Sequence, residues 1–196
     1  PLNTYGETKY SIEMILNSLI NSNKKDWRVA ILRYFNPIGA HCSGIIGESP
    51  NKYATNIMPI ISSVALRRRK YLSIFGNNWD TPDGTPIRDY IHVEDLAEGH
   101  IKALKHLCER KSKQITLNLG TGNGTSVLEL IKVFEEVNNI DIPYEFVPRR
   151  EGDIEYSVAD NSLAKEILKW APKKDLRQMC KDNWNWISKN PDFFIN

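Results

Sequence analysis

Cysteine is scarce and poorly placed for cross-linking: Cys42, Cys108 and Cys180 are the only three. An odd number at wide spacing excludes a disulfide framework and gives no zinc knuckle. No apolar run approaches the roughly 18 residues needed to cross a bilayer as a helix. Charge of one sign is not in excess either, with 26 Lys plus Arg against 24 Asp plus Glu, a formal net charge of +2. That removes the electrostatic reason to expect nucleic acid as a partner. Pro1 is followed by no basic-then-apolar leader, and there is no internal repeat or low-complexity tract. What is present is a globular balance, 41% hydrophobic and 26% charged over 196 residues, enough for one large domain or two small ones. The expected setting is reduced, cytoplasmic and away from membranes.

Helical and strand patterns alternate along the chain. Ile12, Ile15, Leu16, Leu19 and Ile20 recur at helical spacing after Tyr5. The apolar run 29–32 reads as a strand buried on both faces. Residues 36–51, with Pro37, Gly39, Gly44, Gly47 and Pro50, read as a long loop. Then come a helix over 58–69, a strand over 71–75, a turn segment 76–84, a strand over 86–92 and a helix over 93–108. A strand over 115–119, a glycine turn at 120–124, a helix capped by Ser126, a strand over 144–147 and helices near 161–169 and 175–189 complete the chain. Such alternation points to the α/β class. A buried parallel strand at 29–32 needs neighbours on both sides, and few are available. The chain is therefore expected to be the carboxyl-terminal part of a longer protein.

Two pairs of residues carry proton-transfer or anion-binding chemistry on their own account. Tyr5 and Lys9 stand four residues apart, on one helix face. An ammonium there favours a phenolate and so a general base, although the spacing alone is common. Arg88 and Arg150 come from distant segments, and planar guanidinium groups match phosphate oxygens bidentately. Asp89 is expected to orient Arg88, and Glu94 and Asp95 to favour a helix start through its dipole. Gly120-Thr-Gly-Asn-Gly124 lacks the spacing of a dinucleotide loop and reads as a tight turn. His41, His92, His100 and His106 lack metal-ligand spacing, so no metal is expected.

Four strings occur in order: Pro1-Leu-Asn-Thr-Tyr5-Gly-Glu-Thr-Lys9, Arg33-Tyr-Phe-Asn-Pro-Ile-Gly-Ala40, Asp83-Gly-Thr-Pro-Ile-Arg-Asp-Tyr-Ile-His-Val93 and Arg149-Arg-Glu-Gly-Asp153. Together they resemble the UDP-glucose 4-epimerases, of the extended short-chain dehydrogenase/reductase family, over nearly the whole chain. The resemblance implies an NAD-dependent interconversion of UDP-galactose and UDP-glucose through oxidation at sugar C4. Tyr5 would take the 4-hydroxyl proton, Lys9 would hold the nicotinamide ribose, and Phe35 would line the NAD pocket. Asn36, Asn56 and Ile57 would contact the UDP-sugar. Leu72, Ser73, Ile74 and Phe75 would form the uracil slot, Arg88 and Arg150 the diphosphate clamp, and Asp153 a ribose contact. Ser157 matches a position where a bulky Tyr excludes N-acetylated sugars, so wider substrate acceptance is expected.

The implied fold is part of a doubly wound parallel Rossmann sheet with a smaller carboxyl-terminal α/β substrate domain. Residues 1–40 would end the NAD domain and 41–196 would mainly bind UDP-sugar, with a strand near 115–119 returning to the Rossmann sheet. A homodimer through the surface that includes residues 5–19 is implied as well. The family's cofactor glycine loop and the Ser or Thr partner of the catalytic Tyr are not found here. The chain alone is therefore expected neither to hold NAD nor to turn over. Two other readings stay open at this point: a UDP-sugar-binding module without chemistry, and another nucleotide-sugar epimerase or dehydratase.

Overall fold

The computed structural model describes residues 3–22, 26–49 and 55–193. Pro1 and Leu2 of the first string, and Pro50 and Asn51 of the long loop, lie outside them. In chain order the elements are α1 (Thr4–Asn21), β1 (Val29–Tyr34), β2 (Asn36–Ile38), α2 (Ile57–Ala65), β3 (Leu72–Phe75), β4 (Ile87–Arg88), β5 (Tyr90–His92) and α3 (Val93–Cys108). They continue with β6 (Gln114–Leu119), β7 (Thr125–Ser126), α4 (Val127–Asn138), β8 (Tyr144–Val147), β9 (Tyr156–Ser157), α5 (Ser162–Leu168), α6 (Leu176–Lys189) and a closing 3-10 turn, Pro191–Phe193. The class is α/β. β1 pairs with β6, β2 with β5 and β3 with β8, all parallel, so each pair is joined through crossovers that contain helices. β4 lies between antiparallel β7 and parallel β9.

Helix starts follow their local chemistry. Ser126 accepts from the Glu129 N–H at 3.0 Å to cap α4, and Asp175 from the Gln178 N–H at 2.8 Å to cap α6. α2 ends at Ala65, short of the expected 69, because Arg67 turns left-handed (φ 58°) and the N–H groups of 66–69 fold back on residues 62–64. Its Pro59 sits in the first turn, where a missing N–H costs nothing.

Two main apolar cores result, beside a small third cluster of Ala40, Trp186 and Ile187. One packs α2, α4 and α6 around β3, with Met58, Ile61, Leu72, Ile74, Leu130, Phe134 and Cys180 inside. The other packs α3 and α5 against β5 and β6, with Ile91, Leu96, Ala103, Leu117, Leu119 and Trp170. Burial pushes the Cys180 thiol pKa up to about 12, so it is an inert packing group.

Several expectations change. β1 is not buried on both faces: only Ile31 is fully buried, because β6 is the one strand paired with it among the described residues. α1 forms as expected yet buries none of its residues, and its stripe residues Ile12, Ile15 and Leu19 are 48%, 60% and 40% exposed. Arg33 holds it through a bidentate pair with Glu13, the Nε–Oε1 distance being 2.7 Å. The long loop begins with β2, in which Pro37 is tolerated because, among the described residues, the strand pairs on one edge only. The single strand expected over 86–92 is two strands of different sheets, β4 and β5, with Asp89 at the junction.

Asp89 is fully buried and does not orient Arg88. Its Oδ1 accepts from the Thr121 N–H (2.8 Å) and Thr121 Oγ1 (2.6 Å), and its Oδ2 from the Gly122 (2.9 Å) and Ala159 (3.2 Å) N–H groups. Gly120 is obligatory beside it, since a Cβ there would lie 2.6 Å from Asp89 Oδ2. Asp95 likewise does more than favour a helix start: it is 3% exposed and its Oδ2 accepts from the N–H groups of Lys173 (3.0 Å) and Lys174 (2.9 Å).

His92, at 0% exposure, accepts from the Glu94 N–H through Nδ1 at 3.0 Å, which assigns the proton to Nε2 for donation to Asp182 Oδ2 at 3.2 Å. Burial, and then the Lys174 ammonium, keep its pKa below the ordinary histidine value.

Asp89→Asn places an amide N–H₂ against existing N–H or hydroxyl donors whichever way it turns. It is expected to lower stability by about 3 kcal/mol. An unchanged urea-unfolding midpoint would refute the buried-acceptor account.

Candidate functional site

A cleft of about 210 Å³ opens beside β3. Asn36, Asn56, Ile57, Leu72, Ser73, Ile74, Phe75, Arg88, Arg150 and Asp153 all line it, so ten of the eleven residues expected at a UDP-sugar site come together from five separate segments. Asn56 takes the N-cap position of α2 but makes no capping hydrogen bond with its side chain, which leaves the amide available to the cleft.

The strand supplies main-chain groups. Leu72 donates its N–H to the Pro143 carbonyl just before β8, and Gly76 to the Val147 carbonyl at its end, at 2.8 Å each. The two-residue period of a strand therefore turns the N–H and C=O of Ser73 and Phe75 to the other edge, which no strand covers among the described residues. The Phe75 carbonyl is taken by the Trp79 indole N–H at 3.0 Å. The Ser73 N–H and C=O and the Phe75 N–H make up a short donor and acceptor edge of the kind a planar heterocycle can read.

Two guanidinium groups define the polar end. Arg88 reaches from β4 to pair with Asp153, and donates to the carbonyls of Ile87 (2.8 Å) and Ile154 (2.7 Å). Asp153 thus orients Arg88, the task expected of Asp89. Arg150 lies 3.7 Å over the Phe75 ring. This stacking keeps the cation at the cleft and covers one face of the ring, so ring and guanidinium act as a unit toward an anionic ligand.

Tyr5 and Lys9 line a second cleft, of about 600 Å³, between α1 and β1, with the Lys9 ammonium 5.2 Å from the centre of the Tyr5 ring. Tyr5 is 72% exposed. The clefts are neighbours along the chain: Tyr34 lines one and Asn36 the other, with half-buried Phe35 between them lining neither. Ser157 also lines neither. It sits in β9 as the register partner of Arg88, half-buried.

Five lining residues escaped the sequence reading: Thr55, Ile60, Pro86, Tyr90 and Val127. Tyr90 carried a signal, since it follows Arg88 by the two-residue period of one strand face. Arg149 was passed over as well. It lies 4.0 Å over the Trp79 ring and donates to Asn78 Oδ1 at 2.8 Å, holding the turn after β3. The 120–124 turn cannot serve a phosphate in this arrangement, because the Asp89 carboxylate already takes the N–H groups an anion would need.

The pattern of the NAD dependent epimerase/dehydratase family matches residues 1–120. The chain belongs to that family. Within it, this member is 50% identical over 188 residues to the UDP-glucose 4-epimerase of Bacillus subtilis (strain 168), an alignment covering 96% of this chain and 55% of that protein. It superimposes with a TM-score of 0.92 and 46% identity on the UDP-glucose-4-epimerase of Stenotrophomonas maltophila, crystallised with NAD and formylated UDP-arabinopyranose. That match covers 96% of this chain and 55% of the other. The corresponding enzyme of Bifidobacterium longum, in complex with NAD+ and UDP, gives a TM-score of 0.91 at 42% identity, covering 98% and 56%. This family member therefore spans about half the length of the relatives it matches.

Arg88→Lys removes the planar fork that meets one carboxylate and two carbonyls at once. We expect a loss of about 1–3 kcal/mol in unfolding stability. A variant as stable as the parent would show that the fork is not needed to hold Asp153 and Ile154.

Proposed function

We propose that the protein carrying this chain is a UDP-glucose 4-epimerase, interconverting UDP-galactose and UDP-glucose by NAD-dependent oxidation and reduction at sugar C4. The observation that carries the reading is the convergence of Asn36, Asn56, the β3 edge, Arg88, Arg150 and Asp153 on one cleft, one residue along the chain from the cleft that holds Tyr5 and Lys9. In this reading uracil meets the Ser73 and Phe75 main chain beside the Phe75 ring. The diphosphate lies between Arg88 and Arg150, and the sugar passes Asn36 toward Tyr5.

The residues present fit the nicotinamide end of the cofactor. A phenol and an ammonium share one face of α1 over a roomy cleft, and half-buried Phe35 follows directly on Tyr34, which lines it. NAD, when bound, would supply the acceptor and donor for the C4 hydride. Tyr5 receives the proton of the 4-hydroxyl and later returns it. Lys9 favours the phenolate and holds the ribose of the cofactor. Arg88 and Arg150 keep the nucleotide anchored while the sugar turns.

We also propose the division into an NAD-binding part over 1–40, joined by the strand near 115–119, and a mainly UDP-sugar-binding part over 41–196. The exposed face of α1, with Met14, Ile15 and Leu19 around Ser18, is the surface proposed for a homodimer. A cytoplasmic setting is supported by three cysteines that are all free. No helix among the described residues is long and apolar enough to cross a membrane.

In the full-length protein, Tyr5→Phe is expected to lower turnover by about 10²–10⁴-fold while UDP affinity, measured by calorimetry, stays the same. Turnover at the parent rate would overturn the proton-transfer role. Ser157→Tyr is expected to depress activity on UDP-N-acetylglucosamine relative to UDP-glucose. The same activity ratio in parent and variant would remove Ser157 from substrate selection.

A further inference from the structure

The acidic residue at the start of α3 faces two different environments. Glu94 Oε2 is held by the Lys174 ammonium at 2.6 Å, and Lys174 also reaches Asp182 Oδ2 at 3.4 Å. The inner cluster of His92, Glu94 and Asp182 therefore already contains its own cation and has no need of a metal. The outer oxygen is differently placed: Glu94 Oε1 lies 3.3 Å from His41 Nε2, and Cys42 offers its Sγ within 4.8 Å of both other ligand atoms.

These separations suit a tetrahedral cation. Bonds of about 2.0–2.1 Å to nitrogen and oxygen place those two atoms roughly 3.3–3.4 Å apart, which is the distance found. A sulfur ligand needs about 3.6 Å to each neighbour, within reach of a side-chain rotation of Cys42. The turn that carries the two outer ligands is already built. Gly44 donates its N–H to the His41 carbonyl at 3.0 Å, and Asn185 holds the Cys42 carbonyl at 2.9 Å. His41 Nδ1 accepts from the Ser43 N–H at 3.3 Å and lies 2.8 Å from Ser43 Oγ; ligation through Nε2 moves the ring proton to Nδ1, for donation to that hydroxyl as the outer-sphere hydrogen bond. Lys174 does the same for the carboxylate, leaving one oxygen free.

We propose that His41, Cys42 and Glu94 form a surface site for a thiophilic divalent cation of the Zn²⁺ class, with one open position for water or an external ligand. Sequence spacing hid it because Glu94 arrives only through the pairing of β2 with β5. Binding displaces the Cys42 thiol proton and ties the turn after β2 to the first turn of α3. The proposal is independent of the epimerase reading.

The test uses the full chain and Co²⁺ as a spectroscopic probe. One equivalent is expected to give the visible bands of tetrahedral cobalt together with a thiolate charge-transfer band. His41→Gln and Cys42→Ser, both at exposed positions, should each weaken binding at least tenfold, and Cys108→Ser should leave it unchanged. A second measurement needs no variant: Zn²⁺ is expected to slow alkylation of Cys42 at least tenfold, read by peptide mass, without protecting exposed Cys108. Absence of the charge-transfer band at excess Co²⁺, parent affinity in His41→Gln, or equal protection of the two thiols would each overturn the proposal.

Discussion

The buried carboxylate of Asp89 is the constraint on which the site depends. A fully buried anion is tolerable only when its lone pairs are filled, and here four donors from two other segments fill them. The same residue's main chain takes part: the Asn36 N–H donates to its carbonyl at 3.0 Å, and its own N–H donates to Ser157 at 3.0 Å. One residue thus ties the start of β2, the end of β9 and the 120–122 turn to the point where the chain leaves one sheet for another. Arg88 and Tyr90 flank it and both line the cleft. Any slippage at Asp89 would move the cation and the phenol together.

This explains why so much of the fold could be read in advance and where reading failed. Helices α3 and α4 and strand β8 are set by local signals, a capping side chain and an apolar period, which a sequence displays directly. The split of 86–92 into β4 and β5 is set by partners far along the chain, at 125–126, 156–157 and 36–38, and the residues themselves are ordinary strand formers throughout. The role of Asp89 was misassigned for the same reason. Adjacency to Arg88 is visible in sequence, whereas the donors of Thr121, Gly122 and Ala159 are visible only after folding. The stripe on α1 was legible as a helix face, but its covering surface is not supplied by the described residues, so periodicity overstated its burial.

The site was legible to a different depth at its two ends. The residues expected at a UDP-sugar site belong to strings dense in Arg, Asn, Asp and Pro at fixed places, and ten of them converge on one cleft. Tyr90 escaped because an aromatic inside an apolar strand looks like packing, and it is indeed 4% exposed. The stacking of Arg150 on Phe75, and of Arg149 on Trp79, was also invisible, since cation and ring lie some seventy residues apart.

The two clefts differ in rigidity for a physical reason that bears on their tasks. Around the β3 edge several groups have fixed neighbours: Trp79 holds the Phe75 carbonyl, Arg149 holds Asn78, and Asp153 holds Arg88. A site so braced can recognise a nucleotide by position and supplies little motion. Among the described residues, the side-chain polar contacts that brace α1 from outside it are the Arg33–Glu13 pair and the amide of Gln114 on Asn17, on a helix with no fully buried residue. Epimerisation requires a sugar that is held by its nucleotide and free to turn over at its reacting carbon. In the proposed epimerase reading, a braced anchor beside a roomier cleft permits both, because anchoring energy from the nucleotide would be available without restraining the sugar face presented to Tyr5.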